Sequence, residues 1–516
     1  MTKKIFNSLN IFLILIISFF SNYYFGSIGV FPIDTFAFFD SANFINKGFL
    51  PIRDYWTSNG ILVDILQSFF FKIFGVSWYT YLLHSSLLNF LFVFFTYMFL
   101  QNQGLSLSAS LFYSISVALL AYPSSGVPFS DHHSILLSFI AIYFLIFAIN
   151  SNKNIYWLAI PFILFTAFLC KQVPAAFFIV LVFFYILGHS IKNKDYYKFI
   201  PIIISSSFSL LSLFLFLIFN NIEIKSFLIQ YIYFPITIGD ERSSILNFND
   251  LISILITDLK FFSFLIIIFI FFLVRDLKFN NSKIQKFFQT EFIILLATLV
   301  AIFNQILMKN QNIIFFILPI MLGVIHTNVF KTYNKKKIFL ILVIILNIFI
   351  TTKYHFRFNV DRKFMDLENV DKSKSINAME ISSKLKGLKW ISSKTTINKF
   401  SEVELLKASL KFLQENKSNS LIITDYQFIL SELNHKFYPP NRWYTTDGVS
   451  YPLSDNKYFY YYKEFFKEKI NKYDVKTIFT MGSIDYKSFN FILKENCIKT
   501  TKINDILFEH KLLNCL

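Results

Sequence analysis

Charge is scarce in this sequence: Asp, Glu, Lys and Arg make up 16% of its 516 residues, where a soluble domain carries about 25%. Glycine and proline are scarce too, at 13 and 12, which excludes collagen-like and Pro/Gly-rich low-complexity chains. Three cysteines are too few for a disulfide scaffold. No Gly-rich phosphate loop, nucleophile elbow or Cys-x-x-Cys pair occurs, so nothing points to soluble nucleotide chemistry. Apolar residues, by contrast, reach 55%, with 70 Phe, and the mean hydropathy is +0.52. Runs of roughly 18–20 apolar residues recur through the first two-thirds, each long enough to cross a bilayer. The expected class is an α-helical polytopic membrane protein. The net charge of +17 does not argue for nucleic acid, because the basic residues gather in short loops between apolar runs and in the C-terminal third.

Lys3 and Lys4 precede an apolar stretch from Ile5 to about Val30. It is too long for a signal-peptide core and lacks a small-residue cleavage site, so it reads as a retained first span. Further spans near 79–100, 105–122, 133–150, 155–170, 173–189, 199–219, 259–275, 288–308, 312–329 and 337–352 make about eleven crossings. With the N-terminus cytoplasmic, one side of the membrane collects Lys153; Lys192, Lys194 and Lys198; Arg275, Lys278, Lys283 and Lys286; and Lys331, Lys335, Lys336 and Lys337. That is the positive-inside bias of an inner (plasma) membrane protein. The sequence therefore divides at 352. A transmembrane domain spans 1–352, with its first outer loop at 31–78, and an extracytoplasmic domain spans 353–516.

The second part is polar. Strand-like runs at Leu421–Thr424, Thr477–Thr480 and Ile506–Phe508 are separated by helix-like stretches, Glu402–Gln414 and Lys457–Lys472, which predicts a small α/β domain. Cys497 and Cys515 bracket its last strand; a disulfide and a pair of free thiols both fit there.

The loop from Phe31 to Trp78 is too long for a connector. Asp34 sits where a helix N-cap is expected and Gly48 where that helix would end. Phe36, Phe38, Phe39, Ala42 and Ile45 recur at helical spacing, predicting one helix along the membrane surface. Asp40, on another face, is expected to be solvated. A second helix is expected from Gly60 to Phe74, after the turn Thr57-Ser58-Asn59. Between the two lies Pro51-Ile52-Arg53-Asp54-Tyr55-Trp56. Further on come Gly75-Val76-Ser77-Trp78, Ser130-Asp131-His132-His133 and Leu169-Cys170-Lys171-Gln172. Adjacent histidines on a helix diverge, so no metal site is evident from their spacing.

Asp34, Gly48 and the 51–56 element, in this order and spacing, resemble the first outer loop of the polytopic glycosyltransferases of the C-type fold (GT-C). The likeness is to the protein-mannosyltransferase and aminoarabinose-transferase (glycosyltransferase family 39-like) branch. Lys171-Gln172 is similar to that family's Lys-Gln pair near a span end. The chain departs from the pattern at Thr35, where Glu often stands, and at Thr57–Ile61, where Asp-x-Lys-Pro-Pro is common.

The resemblance implies a hexosyl- or pentosyltransferase that takes a sugar from a polyprenyl-phosphate donor to an extracytoplasmic lipid, glycan or protein. It makes Asp34 the catalytic base and Arg53 and Lys171 candidates for the leaving phosphate, with Asp131 or His132 as second-loop site residues. Neutralisation by Arg53 and Lys171 alone and help from a divalent cation both fit it. Without the resemblance, Asp34 reads as a cap, Arg53 as loop scaffold paired with Asp54, and Lys171 as a cation reaching the headgroups. The aromatic and polar stretch Gln230–Arg242 reads as an interfacial belt. The competing functions are a transporter or flippase, which would show repeated halves or broken spans, and a cell-envelope glycan polymerase or ligase.

Overall fold

The computed structural model describes residues 2–121, 126–151, 153–244, 248–277, 282–308, 314–332, 337–393, 399–433, 436–445, 447–484, 489, 491 and 497–513. Helix α1 (Thr2–Gly26) leads into the first loop, which holds α2 (Pro32–Thr35), α3 (Phe39–Asn46) and α4 (Ile61–Phe74). A bundle follows: α5 (Trp78–Asn102), α6 (Leu107–Leu120), α7 (Ser130–Ser151), α8 (Asn154–Cys170), α9 (Gln172–Asn193) and α10 (Phe199–Phe219). After α11 (Ile224–Phe227), α12 (Phe234–Ser244) and α13 (Phe248–Thr257) it resumes with α14 (Lys260–Leu277), α15 (Ser282–Met308), α16 (Ile317–Thr332) and α17 (Lys337–His355). Each expected span falls on one of these helices. Among the described residues, seven helices are long and apolar enough to cross a membrane, and the apolar stretches over α6, α8 and α16 are shorter. The chain is a multi-pass membrane protein. Lys278, Lys335 and Lys336, used in the charge argument, lie outside the described residues. Large apolar side chains stay exposed along α10 and α17, among them Phe208, Leu210, Ile345 and Phe349, as lipid-facing surfaces require.

The C-terminal part carries a hairpin of β1 (Ile376–Asn377) and β2 (Lys389–Trp390), helices α18 (Lys399–Glu415), α19 (Ile429–Glu432) and α20 (Phe459–Lys472), and a five-stranded sheet. The sheet holds β3 (Ser420–Thr424), β4 (Phe437–Tyr438), β5 (Thr477–Met481), β6 (Ile498–Lys502) and β7 (Leu507–Leu512), in the order β4-β3-β5-β7-β6. Strands β4, β3 and β5 run parallel, while β7 is antiparallel to both β5 and β6. Every residue of β3 and β5 is buried, as central parallel strands covered on both faces demand. The expected strands and helices appear within a few residues of their predicted places. Cys515 lies outside the described residues, and the Cys497–Cys515 pairing with it.

The first loop departs from expectation. Its predicted single helix is broken between Thr35 and Phe39, and Asp34 is not a cap: Phe31 holds that position, and Asp34 lies inside the four-residue turn. Nor does α3 lie on a surface, since Phe39 through Phe44 are all buried. The cover is the C-terminal part. Phe36 packs on Trp390 and Phe428 at 5.9 and 4.8 Å between ring centroids, and Trp56 packs on Tyr462 and Phe465. Backbone bonds join the same pieces, Asp40 N to Gln427 O (3.1 Å), Trp56 N to Pro440 O (3.0 Å) and Arg442 N to Trp56 O (3.0 Å). Helix α4 behaves as predicted: it buries Val63, Asp64, Gln67 and Phe71 and leaves Phe69, Ile73 and Phe74 exposed. A helix with its polar side inward and apolar side outward suits a membrane surface.

Candidate functional site

Three of the residues singled out in the sequence come together where the first loop meets the ends of α7 and α8. Asp131 lies in the first turn of α7, where its charge suits the helix N-terminus. Lys171 is the extended residue (φ −161°, ψ 135°) that separates α8 from α9. That break turns its side chain onto Asp131, and Nζ lies 2.7 Å from both carboxylate oxygens. Ser134 Oγ donates to the Lys171 carbonyl (3.0 Å) and fixes the break from the α7 side. Gln172 ties the same corner to the first loop, donating to Ser58 O (2.9 Å) and Tyr231 O (2.6 Å).

Asp34 is the third member. It keeps partial solvent exposure, yet it sits deep enough among protein atoms that desolvation dominates its ionisation. Burial, then the Asp131 charge, pushes its carboxyl up from 3.8 to about 7, with Lys171 pulling the other way. Among the described residues no donor reaches this carboxyl. The arrangement is chemically specific. Burial raises this acid toward neutrality, no donor among the described residues binds it, and it lies within electrostatic range of a cation that Asp131 already holds.

His132 is buried on the same first turn of α7, edge-on to Phe129, and its Nδ1 has no hydrogen-bond partner among the described residues. His133 points elsewhere, as adjacent helical positions must. Its Nδ1 faces Phe129 O (2.9 Å), so it carries that proton, and Nε2 meets His84 Nε2 at 3.1 Å. His84 in turn contacts the Gln67 amide on α4 (3.0 Å). Among the described residues no group of three or more His, Cys, Asp or Glu gathers as a metal site.

Arg53 is placed differently. Its guanidinium donates to Asp54 (2.8 Å), Asn220 O (3.0 Å) and Gly48 O (3.0 Å), and the described contacts include none with Asp34, Asp131 or Lys171. Asp54 also accepts from Leu50 N and Tyr473 OH and faces Lys472. These cations and amide donors hold its carboxyl below the usual range against the opposing effect of burial. Asp40 is not the solvated acid expected. It is 2% exposed and accepts from Leu430 N (3.1 Å), Ser431 N (2.7 Å) and Ser431 Oγ (2.6 Å), satisfying the start of α19. Burial raises its carboxyl to about 6. Gln230 and Tyr231 are likewise no interfacial belt. Both are buried, Gln230 bridging Thr57 N and Ile52 O, and Tyr231 donating to Phe168 O and Leu169 O.

A second buried group was missed in the sequence. Arg442, from the loop after β4, reaches into the first loop. It donates to Asn59 O (2.5 Å) and Asn59 Oδ1 (2.7 Å), lies 4.6 Å above the Phe38 ring centroid and stands 3.9 Å from Asp64. Asp64 is wholly buried and accepts from Ser41 Oγ (2.5 Å); burial raises it to about 7 against the pull of Arg442. The one available signal was Asp64 itself, an acid in the otherwise apolar Ile61–Phe74 helix. Arg442 belongs to no motif.

No known protein family matches the sequence, and no curated protein does either. Among solved structures the chain is similar to ArnT from Cupriavidus metallidurans bound to undecaprenyl phosphate, at 10% sequence identity, over 98% of each chain, with a TM-score of 0.43.

Proposed function

We propose that this chain is a membrane glycosyltransferase that moves a hexose or pentose from a polyprenyl-phosphate donor to an extracytoplasmic lipid, glycan or protein. The observation that carries this reading is Asp34, a carboxyl that burial raises toward neutrality, with no hydrogen bond among the described residues and within electrostatic range of the Lys171–Asp131 pair. The resemblance of the first loop, from Asp34 through Gly48 to the 51–56 element, supports it. In this reaction the acceptor hydroxyl or amine gives its proton to Asp34 as its heteroatom bonds to the anomeric carbon. The bond from that carbon to the phosphate oxygen breaks, and the electron pair leaves with the phosphate. Lys171 neutralises that charge, and Asp131 holds Lys171 ready for it. Arg53, whose donors already serve Asp54, Gly48 and Asn220, organises the loop. His132, on the turn that carries Asp131, lines the site. The apolar bundle holds the prenyl chain.

The experiment is incubation of the purified protein with a panel of polyprenyl-phosphate sugars and candidate acceptors, read as a transferred glycan. Solute uptake by proteoliposomes without any glycan product would instead make the chain a transporter.

A further inference from the structure

The end of α17 is on the same side of the bundle as the first loop. His355 packs edge-on against Phe25 near the end of α1, and Asn359 donates to Leu119 O at the end of α6. Three cations collect there. Lys260 and Lys353 both rest on the Phe261 ring, with Nζ 5.9 and 5.0 Å from its centroid. Arg357 lies one turn beyond Lys353, its Cζ 5.5 Å from the Phe358 centroid. Lys353 feels both of the others as like charges. Among the described residues none of the three pairs with a carboxylate; the neighbouring acid, Asp258, is exposed and acts instead on Tyr354. The Arg357 Nε is buried and has no hydrogen-bond partner among the described residues. Directly below, on α17, a groove of about 510 Å³ is lined by Ile345, Ile348, Phe349, Thr352 and Lys353.

Mutually repelling cations are held together at a cost unless an anion joins them. An open apolar strip of α17 running away from them, Ile345, Ile348 and Phe349, suits a hydrocarbon chain. We propose that this end of α14 and α17 is a docking site for an anionic phospholipid of the surrounding bilayer. Its phosphate lies among Lys260, Lys353 and Arg357, and one acyl chain runs along Ile345, Ile348 and Phe349. A bilayer phospholipid is chosen because the groove opens on the lipid-facing side of α17, where Ile345, Ile348 and Phe349 are all more than half exposed. The bound lipid would fix the end of α17 and the segment that follows it, whose Phe364 packs against Phe31 and Phe129 beside the candidate site.

The test counts lipid retained by the full-length protein in native mass spectrometry, after equilibration with equal parts of phosphatidylglycerol and phosphatidylcholine. The unaltered protein should keep phosphatidylglycerol preferentially. Removing all three charges (Lys260→Gln, Lys353→Gln, Arg357→Gln) should weaken that preference roughly fivefold per cation, on the order of a hundredfold in total. Lys353→Gln alone, at a partly exposed position, gives the fivefold step should the triple variant not insert. Ile348→Trp, which fills the groove and leaves the charges, should also reduce retention. The proposal is overturned if the charge variants keep the preference. It is equally overturned if millimolar inorganic phosphate abolishes it, or if polyprenyl phosphate is retained where phosphatidylglycerol is not.

Discussion

In the proposed reaction a single carboxyl carries most of the chemistry. No donor among the described residues reaches Asp34, so Asp34→Asn removes no cap and no hydrogen bond; it swaps one neutral form of a half-protonated group for another. Folding should survive, while transfer should fall by two to four orders of magnitude, the usual worth of a positioned base. Normal transfer by Asp34→Asn would end the assignment. The pH dependence gives a second check. Asp34 must be ionised to accept a proton, so the rate should rise with pH through about 7. Burial raises this pKa most, and Asp131→Asn removes the charge that adds to it and leaves Lys171 to lower it, so the profile should move to lower pH. Lys171→Gln should move it to higher pH and also slow the reaction. The sign for stability is opposite. Ionising Asp34 is harder in the fold than in the open chain, so its contribution is greatest below about 4 and is lost as pH rises through about 7.

At the scale of elements, the first loop is held by ties that cross the sequence. Asp40 anchors α3 to α19, and Arg442 fastens the loop after β4 to α4 through Asn59 and Asp64. Arg442→Met leaves the Asn59 acceptors and a buried acid without their cation. Breaking such a pair costs about 3–5 kcal/mol, to be read in thermal unfolding. Asp64 already sits near 7 and can neutralise itself by taking a proton, so the loss should be smaller at pH 6 than at pH 8. Gly60 enforces the same junction from the other side. Its φ is +75°, and a Cβ there would collide with the Arg442 guanidinium and the Phe38 ring. Gly60→Ala should therefore destabilise the loop through both strain and displacement of Arg442.

For the whole molecule, the first loop and the C-terminal part share one core, in which Phe36, Tyr55 and Trp78 pack with Trp390, Phe428 and Phe479. Truncation after Met365 would expose side chains such as Phe36 and Trp56, both 0% exposed in the full chain. The truncated protein should insert its helices but lose protease resistance in residues 31–78, and with it any transfer activity. The expected topology, with Asp34 and this cover outside the cytoplasm, is checked by a reporter fused after Leu516. Activity of that reporter only in the cytoplasm would invert the arrangement and place the candidate site on the wrong side for an extracytoplasmic acceptor.

The helices of the bundle were legible in composition because a bilayer tests each segment by itself: about twenty apolar residues, with backbone groups paired within the helix, satisfy it locally. The strands β3, β5 and β7 were legible for a similar reason, as short apolar or alternating runs. Asp34, Asp131 and Lys171 were each marked by local pattern, but nothing local places Asp131 against Lys171 across forty residues. Asp40 and Arg442 were misread or missed because their roles are set by partners nearly four hundred residues away. Whether an acid is solvated, caps a remote helix or waits near neutrality depends on what the fold packs over it, and burial and pairing exist only once the chain has closed on itself.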